Sequence, residues 1–486
     1  MTRLVDGGRL PPLAFVVSST WALAFGACSE SVSDPPPPPS EDPVASVELL
    51  PVASVLVAID DTVAFSATAR DAEGAAMVGE PVTWASSDSG VAEIDSLGVA
   101  KALANGTTTI TAAIGGVTDS AALTVTQQGT SLRIAITPDG AAAGVAFSIQ
   151  PVVQIVDRNG HVTTNDDTTA VAASLGSGDG EIVGAHMATA QAGVATFMDL
   201  GVRGRVGERT LRFEADGLTA AVSDAFPLMA GPPEALGVRV GPDGAKAGVP
   251  LATQPVIEIR DANGNVAADD DSTVITVTID SGGGSIISGG TVTVQDGVAT
   301  FTELAIGGGI GDRTLRFEAE GLTAGVSGAF PLAPGSPEAL HMQVEPGDGV
   351  TGSPLAPQPI IEIHDGYGNV TEDADATVVT AVVASGGGSI AGGGTVTAEN
   401  GVATFTDLAI DGAAGERTLR FTAQGMTPAE SEPFALTASA PASLLLRIQP
   451  GGATAGVDLA TQPVIEIHDG YGNVTEDADA TVVTAV

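Results

Sequence analysis

The chain has few of the residues from which enzymes build catalytic and redox sites. Among 486 residues there are one cysteine and five histidines, and aromatic residues make up 3%. A single cysteine excludes a disulfide bond within the chain. Because the histidines are scattered singly along the sequence, we expect neither a catalytic triad nor a zinc site. The composition therefore predicts a protein that is not an enzyme.

Positive charge is also scarce. Lys101 and Lys246 are the two lysines, and the formal net charge is −41. A field of this sign repels nucleic-acid phosphates and anionic lipid headgroups, so we expect no nucleic-acid partner and no direct binding to a membrane surface. The same field attracts divalent cations, or simply keeps a long chain soluble.

A short apolar stretch lies near the amino terminus. Arg3 and Arg9 precede the apolar residues 13–25, and Gly26 and Ala27 follow them. This order of charged, apolar and small residues is typical of a secretory signal peptide, and the stretch is short for a membrane span. We therefore predict a signal peptide over residues 1–27.

The cysteine directly follows that small pair, and this arrangement resembles the lipobox of bacterial lipoproteins. The resemblance implies cleavage before Cys28 and lipidation of Cys28, which would be the only attachment to a membrane. By the same resemblance, Ser29 favours the outer membrane of a Gram-negative cell. Residues 28–43 form a Pro-, Ser- and acid-rich linker that includes five consecutive prolines. The alternative is an ordinary signal peptide with an incidental cysteine.

The rest of the chain repeats itself. Glutamine followed by proline recurs at intervals of 104 residues, at Gln150, Gln254, Gln358 and Gln462. A period of this length is too long for a solenoid unit and suits a small domain that folds on its own. The predicted domains are a first domain at 44–127 and four repeats at 131–229, 235–332, 339–436 and 443–486, the last of them truncated.

The first domain differs from the repeats that follow it. It contains the run Trp84-Ala85-Ser86-Ser87-Asp88, followed by Val91-Ala92. This run resembles the bacterial immunoglobulin-like domain of group 2, called Big2. The resemblance covers nearly the whole segment and implies an Ig-like β-sandwich, in which we expect Trp84 to lie in the core.

Each repeat has the pattern of a β-sandwich. In repeat 2, Ile257 and Ile259 alternate with Glu258 and Arg260, so one face of this strand is expected to be buried. About seven such short strands separated by turns predict a sandwich. Two phenylalanines per repeat are expected in the core, namely Phe197, Phe213, Phe301, Phe317, Phe405 and Phe421. The arginines between inward-facing residues, Arg212, Arg316 and Arg420, are expected to face solvent.

From Ser131 onward the repeats resemble the Ig-like modules of invasin- and intimin-type adhesins. The shared motifs in repeat 2 are Asp-x-x-Gly-Asn at 261–265, Gly-Val-Ala-Thr-Phe at 297–301 and Thr-Leu-Arg-Phe at 314–317. The resemblance implies an all-β fold of tandem immunoglobulin-like β-sandwiches in a linear array. It also implies a role at the cell surface.

Acidic and amide residues cluster after one hairpin of each repeat, where their oxygens are suited to calcium. The candidate ligands are Asp261, Asn263, Asn265, Asp269 and Asp271 in repeat 2, and Asp365, Asn369 and Asp373 in repeat 3. The alternative is that Asp and Asn occur there because they favour turns. Calcium is the one cofactor that the sequence leaves open.

Two further positions are candidates for contacts. His364 and His468 lie two residues after Glu362 and Glu466, and this spacing on an exposed strand face favours a side-chain pair over a metal site. Tyr367 and Tyr471 occupy the tip of the hairpin in repeats 3 and 4, where they could contact a partner.

Repeat 4 lacks counterparts of Phe405 and Phe421, so we expect the sequence to be part of a longer product. The function predicted is a non-enzymatic cell-surface stalk or adhesin that binds an unknown surface, matrix or host-cell ligand. The alternative is a spacer that presents a carboxy-terminal enzyme or carbohydrate-binding module.

Overall fold

The computed structural model describes residues 43–475 and 481–486. The predicted signal peptide, Cys28 and all but the last residue of the linker lie outside the described residues. The described residues form strands and turns without a helix, and hence without a helical segment suited to crossing a membrane. Contacts divide the described residues into two units, one with residues 43–56 and Thr62–Val125, the other with Val57–Asp61 and the described residues from Thr126 onward.

The first unit contains ten strands. They are β1 (Ser46–Leu50), β2 (Ala53–Leu56), β3 (Thr62–Ala64), β4 (Ser66–Arg70), β5 (Ala76–Met77), β6 (Thr83–Ser86), β7 (Ala92–Ile94), β8 (Val99–Ala102), β9 (Gly106–Ile114) and β10 (Val117–Val125). A four-stranded sheet has the order β2-β10-β9-β6, and two three-stranded sheets have the orders β1-β4-β5 and β3-β8-β7. Strand β9 alternates buried and exposed residues, with Ile110 and Ile114 inward.

Trp84 is half-buried rather than fully buried in this core. It lies on β6, which is the edge strand of the four-stranded sheet. Its ring rests against Gly98, where an added Cβ would lie 2.6 Å from the Trp84 Cζ2 atom. The expected core position of Trp84 is therefore corrected, because an edge strand leaves part of the indole exposed.

The second unit contains the repeats, of which repeats 1 to 3 have eleven strands each. Repeat 1 has β11 (Ser131–Ile136), β12 (Val145–Ala146), β13 (Val152–Val156), β14 (Ala170–Ser177), β15 (Glu181–Val183), β16 (Met187–Thr189), β17 (Val194–Thr196), β18 (Gly201–Arg203), β19 (Gly207–Glu214), β20 (Ala221–Val222) and β21 (Phe226–Leu228). Repeat 2 has β22 (Pro233–Val240), β23 (Ala245–Lys246), β24 (Val256–Asp261), β25 (Val274–Ser281), β26 (Ser285–Ser288), β27 (Thr291–Thr293), β28 (Val298–Thr300), β29 (Ala305–Gly307), β30 (Gly311–Glu318), β31 (Gly325–Val326) and β32 (Phe330–Ala333).

Repeats 3 and 4 continue the series. Repeat 3 has β33 (Ala339–Val344), β34 (Gly349–Val350), β35 (Ile360–His364), β36 (Val378–Ser385), β37 (Ser389–Gly392), β38 (Thr395–Thr397), β39 (Val402–Thr404), β40 (Ala409–Asp411), β41 (Gly415–Thr422), β42 (Ala429–Glu430) and β43 (Phe434–Thr437). Repeat 4 has β44 (Pro441–Ile448) and β45 (Val464–Asp469), which pair with each other.

Each complete repeat contains three sheets, and two of them enclose most of the core. In repeat 2 the sheet β22-β24-β28 faces the larger sheet β23-β32-β30-β25-β27, and repeat 3 has the same two sheets. Ile257 and Ile259 from the first sheet and Phe317 from the second are completely buried in one cluster with Phe301. The prediction of tandem Ig-like β-sandwiches is confirmed.

The paired phenylalanines lie at the centre of each core. All six are at most 2% exposed, and their ring centroids are 5.4, 5.6 and 5.4 Å apart in repeats 1, 2 and 3. Arg212, Arg316 and Arg420 face solvent, with 45%, 43% and 47% of the side chain exposed. Both expectations for these positions are confirmed.

Candidate functional site: the joints between repeats

The hairpin after β24 is closed by the side chain of Asp261. Its Oδ1 atom accepts the backbone N–H groups of Asn263 at 2.8 Å and Asn265 at 2.9 Å. Gly264 supplies the positive φ of 78° that the turn requires. Asp at the start of a turn commonly binds the backbone in this way, so the local sequence explains the hairpin without a metal.

The other carboxylate oxygen of Asp261 binds outside the turn. Its Oδ2 atom accepts the N–H of Gly231, in the linker that precedes repeat 2, at 2.7 Å, and the side-chain amide of Asn265 at 2.8 Å. Burial raises the pKa of Asp261, but the hydrogen bonds from Asn265, Gly231 and the turn outweigh burial and hold the pKa below its usual range. The carboxylate is therefore ionised and fixes the linker to the hairpin.

Asn265 extends the same network to the preceding repeat. Its Nδ2 atom donates to the carbonyl of Gly204 at 2.8 Å, and its Oδ1 atom accepts the N–H of Val206 at 3.0 Å. Gly204 and Val206 lie in the loop between β18 and β19 of repeat 1. Since Asn265 is 6% exposed, these bonds are shielded from water. We call this set of contacts between a hairpin, a linker and a preceding loop a joint.

The joint recurs at the next two boundaries with the same atoms. Between repeats 2 and 3 the bonds are Gly335 N to Asp365 Oδ2 (2.7 Å), Ile310 N to Asn369 Oδ1 (3.0 Å) and Asn369 Nδ2 to Gly308 O (3.0 Å). Between repeats 3 and 4 they are Ser439 N to Asp469 Oδ2 (2.9 Å), Ala414 N to Asn473 Oδ1 (2.8 Å) and Asn473 Nδ2 to Gly412 O (3.1 Å). Three successive boundaries are thus fixed in one way.

A buried arginine supports the loop from the other side. Arg209 is 5% exposed, and its guanidinium donates to the carbonyls of Arg205 at 2.6 Å and Glu208 at 2.9 Å. Equivalent arginines bind the equivalent loops: Arg313 donates to Gly309 and Asp312, and Arg417 donates to Ala413 and Glu416. Charge alone predicts an exposed side chain, so the only sequence signal for this role is the recurrence of the arginine every 104 residues.

The hairpin tip also packs on the preceding repeat. A Cβ added at Gly307 would lie 2.5 Å from Cε1 of Tyr367, and one added at Gly248 would lie 3.0 Å from Cε2. In the next joint the ring of Tyr471 lies against Gly352, and its hydrogen bond to Asp411 raises the pKa of Tyr471. Both tyrosines therefore contact the neighbouring repeat of the same chain, and contact with a separate partner stays a prediction.

The candidate calcium ligands fall into two environments. Asp261, Asn263 and Asn265 are brought together in the hairpin, and Asp365 and Asn369 occupy the same places in repeat 3. The remaining candidates lie on the surface.

Asp269 and Asp271 are exposed, and Asp271 accepts the N–H of Asp296 at 2.8 Å. The carboxylate of Asp373, in repeat 3, binds the ammonium group of Lys246, in repeat 2, at 2.9 Å. Calcium binding by these residues stays a prediction.

No curated protein matches the chain. Among solved structures, the Escherichia coli adhesin FdeC aligns with a TM-score of 0.29 and 19% identity over 64% of this chain and 98% of that one. Invasin, a bacterial integrin-binding protein, aligns with a TM-score of 0.32 and 15% identity over 83% of this chain and 82% of that one.

Domains 4–9 of the surface-layer protein SbsC align with a TM-score of 0.20 and 16% identity, over 84% of this chain and 70% of that one. In the family comparison, residues 43–125 match the model of the bacterial Ig-like domain (group 2). That match confirms the group 2 Ig-like domain predicted over residues 44–127.

Proposed function

We propose that this chain is a non-enzymatic, cell-surface stalk of the adhesin type. The observation that carries the proposal is the recurrence of one joint at three successive boundaries. A stalk needs each domain to hold the next at a fixed angle, and a linker of a few residues does not do this alone. The match of residues 43–125 to a bacterial Ig-like domain supports a surface role.

The joint supplies the stiffness that a stalk requires. At each boundary an Asn side chain bonds the preceding loop, and an Asp carboxylate bonds the linker. Each buried hydrogen bond contributes about 0.5–1.5 kcal/mol net, and a bond to a charged group contributes about 1.5–3 kcal/mol. Bending at a joint breaks several of these bonds together, so the fixed angle is favoured.

Distance measurements between spin labels test this stiffness. Labels at Met198 in repeat 1 and Thr302 in repeat 2 occupy equivalent exposed positions, and Cys28→Ser removes the competing thiol. We expect one narrow distance distribution in the otherwise native chain and a broader one after Asn265→Ala.

Asn263→Ala is the matched control for that experiment. Asn263 lies in the same hairpin but binds Asp261 through its backbone N–H, which alanine retains. If the distance distribution in the native chain is as broad as that in Asn265→Ala, the proposal of a stiff stalk is overturned.

The proposal includes attachment through Cys28 to the outer membrane. Metabolic labelling with a fatty acid should mark the native chain and be lost in Cys28→Ala. Persistence of the label in that variant would reject this anchor but would not affect the proposal that the joints stiffen the chain.

Adhesion is tested separately with the purified mature chain on cells and on extracellular matrix. Saturable binding supports the adhesin role. A chain that holds its joints but binds neither surface would instead be a spacer for another module.

A further inference from the structure

Three potential metal ligands meet on the exterior of repeat 3. Strands β33 and β35 pair in antiparallel fashion, and their register places His341 opposite Glu362. His364 lies two residues beyond Glu362, so both side chains point to the same face of the strand. Ligand atoms of His341, Glu362 and His364 all lie within 4.8 Å of one another. Two of the histidines that are scattered in the sequence are thus brought together by strand pairing.

The three side chains already contact each other. His364 Nε2 lies 2.9 Å from Glu362 Oε2, and the two imidazole rings are stacked, with centroids 4.8 Å apart and planes inclined by 6°. Gln343 Nε2 donates to the other Glu362 oxygen at 2.6 Å. Glu362 and His364 are 18% and 16% exposed, whereas His341 is exposed, so the cluster is accessible from solvent.

We propose that His341, Glu362 and His364 bind a divalent transition-metal ion, with Zn²⁺ as the reference ion. Two imidazole nitrogens and one carboxylate oxygen form a donor set that zinc uses in proteins, with bonds of about 2.0–2.2 Å. The exposed His341 ring can leave the stack and turn its nitrogen towards the ion, because the second side-chain torsion of histidine is broad. Gln343 orients the carboxylate, as partners of metal ligands commonly do.

Repeat 4 shows what the cluster looks like with one ligand missing. Leu445 takes the place of His341 opposite Glu466, and His468 still lies 3.1 Å from Glu466. Arg447 takes the place of Gln343 and binds Glu466, so a fixed positive charge occupies the carboxylate. With two ligands and a guanidinium, this position disfavours a cation.

Repeat 2 lacks the histidines altogether. Gly237 lies opposite Glu258, and Arg260 binds that carboxylate at 2.8 Å. Within residues 43–475 and 481–486, the cluster in repeat 3 is the one group of three His, Cys, Asp or Glu side chains close enough to share a metal ion. One ion per chain is therefore expected.

Calorimetric titration of the mature chain with zinc chloride tests the proposal. All variants carry Cys28→Ser, so that the thiol does not bind zinc. We expect one zinc ion per chain in this background, and an affinity lower by at least about tenfold in His341→Leu and His364→Ala. His341→Leu introduces the residue that repeat 4 has at the same position. A loss of zinc binding in this variant would therefore not be explained by a folding defect.

The matched control is His468→Ala, which should bind zinc as the parent chain does. Circular dichroism and thermal melting of each variant without zinc establish that the fold is retained. The proposal is overturned if His341→Leu binds zinc with the parent affinity, or if His468→Ala removes the binding.

Zinc should also perturb the imidazole NMR signals of His341 and His364 before those of His468. Simultaneous perturbation of all three would overturn a specific site. None of the three ligands lies in a joint. The joints should therefore be unchanged in both experiments and serve as an independent reference.

Discussion

The side chain of Asn265 accepts the backbone N–H of Val206 at 3.0 Å, although the two residues are 59 positions apart and belong to different repeats. The same separation joins Asn369 to Ile310 and Asn473 to Ala414. The donor residue is valine, isoleucine or alanine, because the bond uses only its backbone. The angle between neighbouring domains is therefore fixed by a side chain on one side and a main chain on the other.

Replacing one of these asparagines should loosen a single joint. We expect Asn369→Ala to leave the N–H of Ile310 and the carbonyl of Gly308 without their partner, at a local cost of about 1–3 kcal/mol. Amide hydrogen exchange should then be faster at Ile310 by about tenfold or more. The amide of Val206 is an internal control, because its acceptor Asn265 is unchanged. Equal exchange at Ile310 in both chains would show that the bond contributes nothing.

The sequence predicts the interior of each repeat more completely than the boundaries. Alternating apolar residues and the recurrence of Phe301 and Phe317 indicate a two-sheet core, since burial depends on side-chain type. The role of Asn265 depends on where the preceding repeat lies. Its partner at Val206 is a backbone N–H, so the type of side chain at that position does not indicate the contact. The same limit applies to Arg313, whose charge predicts exposure.

The cluster of His341 with Glu362 and His364 is not evident from the sequence for a related reason. His341 precedes Glu362 by 21 positions, and only the register of β33 against β35 places them opposite each other. Sequence spacing alone therefore does not show that His341 and His364 share one face of the sheet. A register derived from the buried partners Leu340 and Ile363 would have revealed the pair.

The joints should weaken in acid. Burial raises the pKa of Asp365, but hydrogen bonds from Asn369, Gly335 and the hairpin outweigh it and lower the pKa in the folded state. A lowered folded-state pKa means that this stabilisation is fully present above the unfolded value of about 3.9 and is lost as the pH falls through the folded-state pKa.

The variant Asp365→Asn isolates that contribution from those of the other carboxylates. At pH 7 we expect it to melt at a lower temperature than the native chain. As the pH falls below about 4 the two melting temperatures should draw together, and they should converge fully only below the folded-state pKa of Asp365, where its carboxylate is protonated in the folded chain as well. Calorimetry between pH 7 and pH 2 makes the comparison, and a difference independent of pH would contradict the assignment.

The buried arginine should matter for the loop more than for the core. Arg313→Met keeps much of the apolar stem but removes the donors to Gly309 and Asp312. We expect faster amide exchange at Ile310, which lies next to Gly309 and carries the N–H used in the joint. Arg316→Met is the control in the same strand, because Arg316 is exposed. If protection of the Ile310 amide from exchange is unchanged in Arg313→Met, the arginine does not support the joint.

Calcium should bind apart from the joint. The oxygens of Asp261 accept four N–H groups, and a calcium ion would have to displace these donors. The exposed carboxylates of Asp269 and Asp271 require less displacement, so we expect binding there with an affinity of about 10⁻⁴–10⁻³ M, as in extracellular modules.

Calorimetry with calcium chloride should therefore give heat that is lost in the double variant Asp269→Asn, Asp271→Asn. Addition of a chelator should leave amide exchange at Val206 unchanged, because Asn265 alone holds that N–H. If the chelator instead speeds exchange at Val206, calcium and the hydrogen bonds of Asp261 act together, and the stiffness of the chain depends on the cation. If calcium gives no heat in the native chain, the acidic residues are turn formers and surface charge, and the joints hold by hydrogen bonds alone.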